Sequence, residues 1–286
     1  FRDPPGIDGI RALVEDRLLV HRRFRQRVIE PSLGLPHWEL DPQFDVSAHL
    51  HHIALPAPGD QAALETLVSD LASTSLDRQK PLWQLYLIDG VGKGGALLAR
   101  LHHSMGDGVA LVRFLLGLTD EGALLSPPEV GVEAPRPSGL AERAKLASAQ
   151  ALARGRMLLL PPDSNTVLKG ELGTQKRVAW SEPAGLDPIK SACRRQGVKL
   201  NDLLVAALTG ALARFLEEHG RIDGLELRAL VPVYVRDASA GDELENHFGL
   251  VYVSLPIAVR DRGERLRQLH QSFESIKAQP DAVVAL

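Results

Sequence analysis

The stretch His102-His103-Ser104-Met105-Gly106-Asp107-Gly108 lies between two apolar segments of different periodicity. The segment before it, residues 96–101, predicts a β-strand, and the segment after it, residues 108–118, predicts a helix. The seven residues therefore occupy a strand-to-helix junction, where side chains emerge at a sheet edge beside a helix N-terminus. Gly106 and Gly108 permit a tight turn at this junction.

The residue types in this junction favour general-base catalysis. Neighbouring residues on a strand point to opposite faces, so His102 and His103 cannot both face one pocket, and one can react while the other packs. An imidazole has an unperturbed pKa of about 6.5 and can accept a proton near neutral pH. Asp107 can cap the following helix or pair with an arginine.

Two other interpretations of the junction stay open. A zinc site formed by His102, His103 and Asp107 fits by ligand type, although neighbouring histidines point apart and zinc signatures place their ligands on one face. A purely structural turn with packed histidines is the other interpretation. No metal is expected if either histidine acts as a base.

Strands and helices alternate in both halves of the chain, which predicts an α/β protein with two domains. Four prolines between residues 126 and 137 mark a linker. We therefore expect a first domain over 1–125, a crossover over 126–165 and a second domain over 166–286. The predicted helices are 8–20, 60–75, 108–118, 140–160, 187–195, 203–217 and 264–277, and the predicted strands are 85–88, 96–99, 177–180, 225–235 and 250–259.

Composition excludes several classes of protein. The 286 residues carry a formal net charge of −3, which argues against a generally basic nucleic-acid binder. A single cysteine, Cys193, excludes an intrachain disulfide and fits a reducing compartment, so we expect a cytoplasmic protein without a nucleic-acid partner. No run approaches the ~18 apolar residues of a membrane-spanning helix. The start at Phe1, without an initiator Met, predicts an internal piece of a longer chain.

Several sequence blocks together resemble one family. The junction matches the HHxxxDG signature of the coenzyme A-dependent acyltransferase superfamily, which includes chloramphenicol acetyltransferase and peptide-synthetase condensation domains. The other blocks resemble the bacterial wax ester synthase/diacylglycerol acyltransferase branch in order and spacing. They are Pro81-Leu82-Trp83 (a PLW block), Asn201-Asp202 (an ND block), Pro232-Val233-Tyr234-Val235-Arg236 and Asn246-His247-Phe248-Gly249.

The resemblance implies two chloramphenicol-acetyltransferase-like domains, with mixed sheets flanked by helices and an active site at the domain interface. It implies transfer of a fatty acyl group from acyl-CoA to a long-chain alcohol, to diacylglycerol, or to both. The coenzyme A thioester is then a co-substrate and no cofactor is needed. His103 is the implied general base, with no covalent acyl-enzyme. Family members are longer, so the second domain is expected to be incomplete here.

Other site residues have a structural interpretation beside the functional one. Asp107 is expected to orient the site by pairing with Arg236, which is otherwise an exposed strand-end arginine. Asn201 either supports the site or only caps its helix, and Trp83 either contacts substrate or packs in the core. Gly108 supports the turn and Asn246 is a candidate substrate contact.

Two further functions remain as alternatives. One is another HHxxxDG chemistry, with a different acceptor or a carrier-protein thioester as donor. The other is a non-catalytic lipid-binding homologue, which the intact motif disfavours. Because the acceptors partition into membranes, peripheral contact with a membrane or a lipid droplet is expected. The segment 143–160 either lies on an anionic bilayer or is an ordinary amphipathic crossover helix.

Overall fold

The computed structural model describes residues 5–106, 108–119, 162–236 and 248–278, with short stretches at 132–133 and 284–285 and single positions at 139, 144, 148, 151 and 155. The described residues form two compact units. The first takes its residues from Phe1–Pro127 and Leu172–Ser181, and the second from Pro128–Glu171, Glu182–Ser239 and His247–Leu286. The domain boundaries expected from the sequence stay predictions. The segment 172–181 packs with the first unit rather than with its neighbours in the chain.

The first unit contains two sheets and three helices among its described residues. Helix α1 (Ile7–Leu13) continues as a π-helical turn (Val14–Leu18). The remaining elements are β1 (Gln26–Ile29), β2 (His37–Leu40), β3 (Leu50–Ala54), α2 (Gln61–Ser73), β4 (Trp83–Val91), β5 (Gly94–Leu101) and α3 (Gly108–Gly117). Strands β1 and β2 form an antiparallel pair, and β3, β4 and β5 form a mixed sheet in which only β3 and β4 are parallel.

The predicted hairpin is confirmed as β4–β5. Gly90, at an irregularity near the end of β4, and Gly92, in the turn, have φ of +76° and +58°, a left-handed conformation that glycine adopts without a steric penalty. Because side chains alternate along a strand, one face of the hairpin supplies the core of this unit. That face carries Trp83, Leu85 and Leu87 from β4 and Leu97, Ala99 and Leu101 from β5.

The second unit contains a four-stranded mixed sheet and three described helices. Its elements are β6 (Val132–Glu133), α4 (Leu186–Gln196), α5 (Leu200–Glu217), β7 (Leu227–Arg236), β8 (Phe248–Leu255), α6 (Arg262–Ala278) and β9 (Val284–Ala285). The strand order is β6-β7-β8-β9, with only β6 and β7 parallel. Apolar residues of α5, α6 and β8 share one core. The predicted α/β class with mixed sheets and flanking helices is confirmed.

The predicted strand at 177–180 is wrong. Residues 172–181, the helix-bound segment, run along α2, and alternate backbone N–H groups donate to α2 side chains. The pairs are Lys176 to Ser73 Oγ (2.7 Å), Val178 to Ser69 Oγ (2.9 Å) and Trp180 to Glu65 Oε1 (3.3 Å). Residues four apart on a helix are ~6 Å apart and residues two apart on an extended chain are ~6.7 Å apart, so the two repeats match.

The predicted helix 140–160 lies largely outside the described residues, and so does the membrane-surface alternative for 143–160. Helix α5 begins at Leu200, three residues before the predicted start. Its N-cap is Lys199, whose backbone N–H donates to the Asp202 carboxylate at 3.1 Å. Asp202 therefore caps the helix from its third position rather than from the preceding loop.

Candidate functional site

The HHxxxDG stretch occupies the predicted strand-to-helix junction. Strand β5 ends at Leu101, the short 3₁₀ turn His103–Met105 follows, and α3 begins at Gly108. Asp107 lies outside the described residues. The junction belongs entirely to the first unit.

His102 stabilises the turn with its own side chain. Its Nδ1 accepts the backbone N–H of Ser104 at 3.2 Å and lies 2.7 Å from the Ser104 hydroxyl. This is the N-capping geometry more often supplied by Ser, Thr, Asp or Asn. A structural role for the first histidine follows from these contacts.

His103 is the first residue of the turn, and its side chain is exposed. Met105, two residues on, is fully buried in the core of the first unit. The backbone N–H of Met105 donates to the His102 carbonyl at 3.0 Å. Met105 therefore anchors the turn while the His103 imidazole stays accessible. An apolar residue between two polar or glycine positions was the only sequence signal for this anchor.

The PLW block lies beside the histidine motif across the β4–β5 ladder. The Leu82 carbonyl accepts the backbone N–H of His102 at 3.0 Å, and the side chains of Leu82 and Trp83 are buried. The indole Nε1–H of Trp83 donates to the Phe24 carbonyl at 2.8 Å. Trp83 thus occupies a core position and holds the strand that supports His102.

A buried histidine that sequence reasoning missed lies against Trp83. The His49 ring stacks on the Trp83 indole at 4.4 Å between ring centroids and on the Phe44 ring at 5.4 Å. Its Nδ1–H donates to the Trp83 carbonyl at 2.7 Å. Burial is the main cause that lowers the pKa of His49 below its ordinary value, so the neutral ring is favoured.

The other face of the β3–β4–β5 sheet carries a polar network. The Arg100 guanidinium donates to Gln84 Oε1 at 3.0 Å and lies 3.4 Å from the Tyr86 hydroxyl. The His51 ring stacks on Tyr86 at 4.6 Å. Burial, and then the positive charges of Arg100 and Lys80, lower the pKa of His51. Nothing in the sequence pattern pointed to this network.

The remaining predicted site residues are distributed over both units. Gly108 opens α3 in the first unit. In the second unit, Asn201 is exposed at the second position of α5, and Arg236 ends β7, with its side chain outside the part of the chain that the structure describes. Asn246 also lies outside the described residues. Asn201 does not cap α5, whose N-cap is Lys199, so the capping alternative is wrong. The pairing of Asp107 with Arg236 and the site roles of Asn201 and Asn246 stay predictions.

Asp202 of the ND block is hydrogen-bonded to a histidine of another helix, a contact that the sequence did not predict. The buried Asp202 carboxylate accepts a hydrogen bond from Nδ1–H of His270 on α6 at 2.7 Å. The same carboxylate caps α5, so Asp202 links the start of α5 to α6 within the second unit. Its side chain is thereby committed to local structure.

An apolar cavity of about 540 Å³ lies in the first unit. Helix α1, strand β5 and helix α3 form its walls, so its lining comes from both sides of the histidine motif. The wall residues include Leu13 of α1, Val14 of the π-helical turn that follows it, Leu97 and Ala99 of β5, and Leu115 of α3. Its volume falls within the ~300–1,000 Å³ usual for small-molecule sites.

Metal binding and membrane crossing find no support in the described part of the chain. Among these residues, no three or more His, Cys, Asp or Glu side chains cluster as metal ligands. No described helix combines the length and the apolar character needed to cross a bilayer. Cys193 is buried on α4, as expected for a structural thiol.

Comparison with known proteins identifies a matching family model and similar sequences. The model of the wax ester synthase/diacylglycerol acyltransferase catalytic domain matches residues 3–137. A probable diacylglycerol O-acyltransferase of Mycobacterium tuberculosis is 32% identical over 305 residues, covering 96% of this chain and 64% of the relative. A second, putative enzyme of that name from the same organism is 30% identical and covers 90% of this chain and 57% of the relative. The chain thus spans under two-thirds of each relative.

Solved structures agree with the sequence relatives. The wax ester synthase/diacylglycerol acyltransferase from Marinobacter aquaeolei VT8 is 26% identical, with a TM-score of 0.63, and the match covers 96% of this chain and 64% of that one. The first condensation domain of the CDA synthetase has the same TM-score of 0.63 at 15% identity, which shows a shared fold. Both matches extend over the two units. The chain belongs to the wax ester synthase/diacylglycerol acyltransferase family.

Proposed function

We propose that the protein transfers a fatty acyl group from acyl-CoA to the hydroxyl of a long-chain alcohol or of diacylglycerol, with no cofactor. The observation that carries the proposal is the exposed His103 imidazole on an anchored turn, in the same unit as an apolar cavity that shares strand β5 with it. A base beside an apolar cavity suits a hydroxyl nucleophile and a lipid acyl donor.

In this mechanism His103 removes the proton from the acceptor hydroxyl as its oxygen attacks the thioester carbonyl. The resulting tetrahedral intermediate collapses with cleavage of the carbon–sulfur bond. The protonated imidazole then returns its proton to the departing coenzyme A thiolate, which restores the base. The acyl group passes directly to the acceptor oxygen, so no covalent acyl-enzyme forms.

The cavity of the first unit is the proposed site of the acyl chain. Ala99 in its wall lies four residues before His103, a distance of about 13 Å along an extended strand. An acyl chain with its thioester carbonyl at His103 would therefore reach the cavity with its middle and distal methylene groups. Short acyl groups would end before it.

We also propose that the protein acts in the cytoplasm and contacts the membrane or lipid inclusions peripherally. The support is chemical, because long-chain alcohols and diacylglycerol partition into lipid phases. An enzyme that uses them must collect them from such a phase.

The test is coenzyme A release from palmitoyl-CoA, followed by thiol colorimetry, with hexadecanol or a diacylglycerol as acceptor. We expect acceptor-dependent release that falls by ~10²–10⁴-fold in His103→Ala, which removes the base. His102→Asn is the matched control, because Asn can still accept the Ser104 N–H, and it should lose far less. Melting curves establish that both variants are folded.

Three results would contradict the proposal. Equal, small losses in the two variants would remove His103 as the base. Release from an acyl-carrier-protein thioester but not from acyl-CoA would assign another donor. Binding of palmitoyl-CoA without turnover with either acceptor would instead favour a lipid-binding homologue.

A further inference from the structure

A second cavity, also of about 540 Å³, lies in the second unit between α4, α5 and α6. We call it the arginine cavity. Its apolar wall consists mainly of small α5 residues, Ala206, Ala207, Gly210 and Ala211. Three arginines complete the lining, Arg214 from α5 and Arg262 and Arg265 from the start of α6.

Gly210 allows one of these arginines to lie across α5. A Cβ atom at position 210 would be 2.6 Å from Nη2 and 3.0 Å from Cζ of Arg265, so any larger residue would displace the guanidinium. Nη1 of Arg265 donates to the Val259 carbonyl at 2.8 Å. Its Nε is buried and has no hydrogen-bond partner among the described residues. Arg265 is therefore held in place with a donor still to be satisfied.

Within the described part of the chain, none of the three arginines of the arginine cavity forms an ion pair. Of the nearby carboxylates, Glu264 pairs with Arg267, and Asp261 accepts the Glu264 N–H at 2.7 Å without forming an ion pair with an arginine of the cavity. Three guanidinium groups around one cavity repel each other unless an anion joins them, and a phosphate group matches their planar donor geometry.

An exposed apolar stripe on α5 adjoins the cavity. Leu204 is 53%, Leu208 56% and Phe215 43% exposed. At 3.6 residues per turn these residues lie on the helix face next to the one formed by Ala207 and Ala211. Exposed apolar residues beside arginines are the pattern of a surface that binds an anionic bilayer.

We propose that the arginine cavity and this stripe form a docking site for the phosphate of an anionic phospholipid at a bilayer surface. The arginines hold the headgroup phosphate, and Leu204 and Leu208 enter the boundary between headgroups and acyl chains. A free phosphate would use only the arginines and would leave the stripe in water, which is why the lipid is the better match. This inference rests on the peripheral contact proposed above and assigns it to the second unit.

The test is flotation of the purified protein with vesicles of phosphatidylcholine alone or mixed with phosphatidylglycerol. We expect binding only to the mixed vesicles, weakening as salt is raised. The double variant Arg214→Gln/Arg262→Gln should bind at least tenfold more weakly, since each arginine near an anionic surface changes partitioning on the order of fivefold. Both side chains are exposed, so the variant should fold, which a melting curve checks.

Two control variants distinguish this site from general charge attraction and from a site for soluble phosphate. Arg221→Gln neutralises an exposed arginine outside the cavity and should change binding little. Leu208→Gln leaves the arginines intact and should also weaken flotation. Unchanged flotation of this variant, together with competition by inorganic phosphate, would assign the cavity to a soluble phosphate and overturn the proposal.

Flotation that is equal for neutral and anionic vesicles, or unchanged in the double variant, would also overturn the proposed phospholipid site. The broader proposal of peripheral membrane contact would stand. Absence of flotation would overturn both. A concentration-dependent dimer that Leu208→Gln abolishes would show that the stripe is an interface between two copies of the chain, and it would overturn the lipid proposal. Acyl transfer to a short, water-soluble alcohol is measured separately, so failure of the docking site and failure of the enzymatic proposal can be distinguished.

Discussion

His102 and His103 differ in what surrounds them, although they are neighbours of the same type. The His102 ring is hydrogen-bonded to the residue two positions on, whereas the His103 ring is exposed at the start of the turn. Strand alternation alone predicted that the two would point apart. The sequence could not predict which of the two histidines caps the turn, because capping depends on the backbone geometry of the turn.

At this scale we predict that His102→Ala destabilises the protein by about 0.5–2 kcal/mol, the usual cost of losing an N-cap. His102→Asn should recover most of that loss, since its carboxamide oxygen can accept the Ser104 N–H. Urea denaturation of the two variants and of the unaltered protein measures the difference. Equal destabilisation by Ala and Asn would show that the capping contact contributes little.

The two histidines with lowered pKa values predict a loss of stability in mild acid. Burial disfavours the charged form of His49 and His51 in the folded state, whereas both titrate near their ordinary value of about 6.5 when unfolded. Above that pH both states are neutral and no penalty applies. As the pH falls below it, the unfolded chain binds protons that the folded one excludes, so the free energy of unfolding decreases.

Urea denaturation between about pH 7.5 and pH 5.5 checks this expectation. His49→Asn keeps a donor for the Trp83 carbonyl but cannot titrate, so its stability should fall less steeply with acid. A slope identical to that of the unaltered protein would remove His49 as a contributor.

At the scale of elements, the helix-bound segment shows what periodicity can and cannot reveal. Helix α2 was predicted within two residues at each end, because Leu64, Leu67, Val68 and Leu71 repeat at helical spacing. The structure adds the N-cap, since the Asp60 carboxylate accepts the Ala63 N–H. The strand predicted at 177–180 does not form. Its extended backbone finds acceptors on helix side chains 103 to 115 residues earlier, a pairing that local sequence does not encode.

We predict that Ser69→Ala speeds hydrogen exchange at the Val178 amide, because its acceptor at 2.9 Å is removed. The expected cost is about 0.5–1.5 kcal/mol, which corresponds to a severalfold faster exchange. Thr66→Ala is the matched control, since the Thr66 hydroxyl bonds within α2, to the Ala62 carbonyl. Exchange at Val178 that is unchanged, or changed equally by both substitutions, would show that the side-chain ladder does not hold the segment.

At the scale of the whole molecule, cavities arise where distant parts of the chain meet. The first-unit cavity combines α1, β5 and α3, and no single window of sequence contains its lining. The resemblance to a lipid acyltransferase family predicted an active site at the domain interface. It did not predict the lining of this first-unit cavity, because a cavity is what packing leaves unfilled.

We predict that Ala99→Leu, which extends a side chain into this cavity, shifts donor preference toward short acyl groups. Excluding two or three methylenes costs about 0.8 kcal/mol each, so kcat/KM for palmitoyl-CoA relative to butyryl-CoA should fall on the order of tenfold or more. Ala54→Leu makes the same change at an exposed strand position and should leave the ratio unaltered. A ratio that moves equally in both variants would place the acyl chain elsewhere.

The helix-bound segment also sets an order of events during synthesis. Its backbone N–H groups donate to side chains of α2, yet Lys176 follows Ser73 by 103 residues. At ribosomal rates of about 5–20 residues per second, about 5–20 s pass between the emergence of the helix and that of its partner segment. During that interval Ser69 and Ser73 are exposed to water. The first unit therefore reaches its final structure only after part of the second unit has been synthesised.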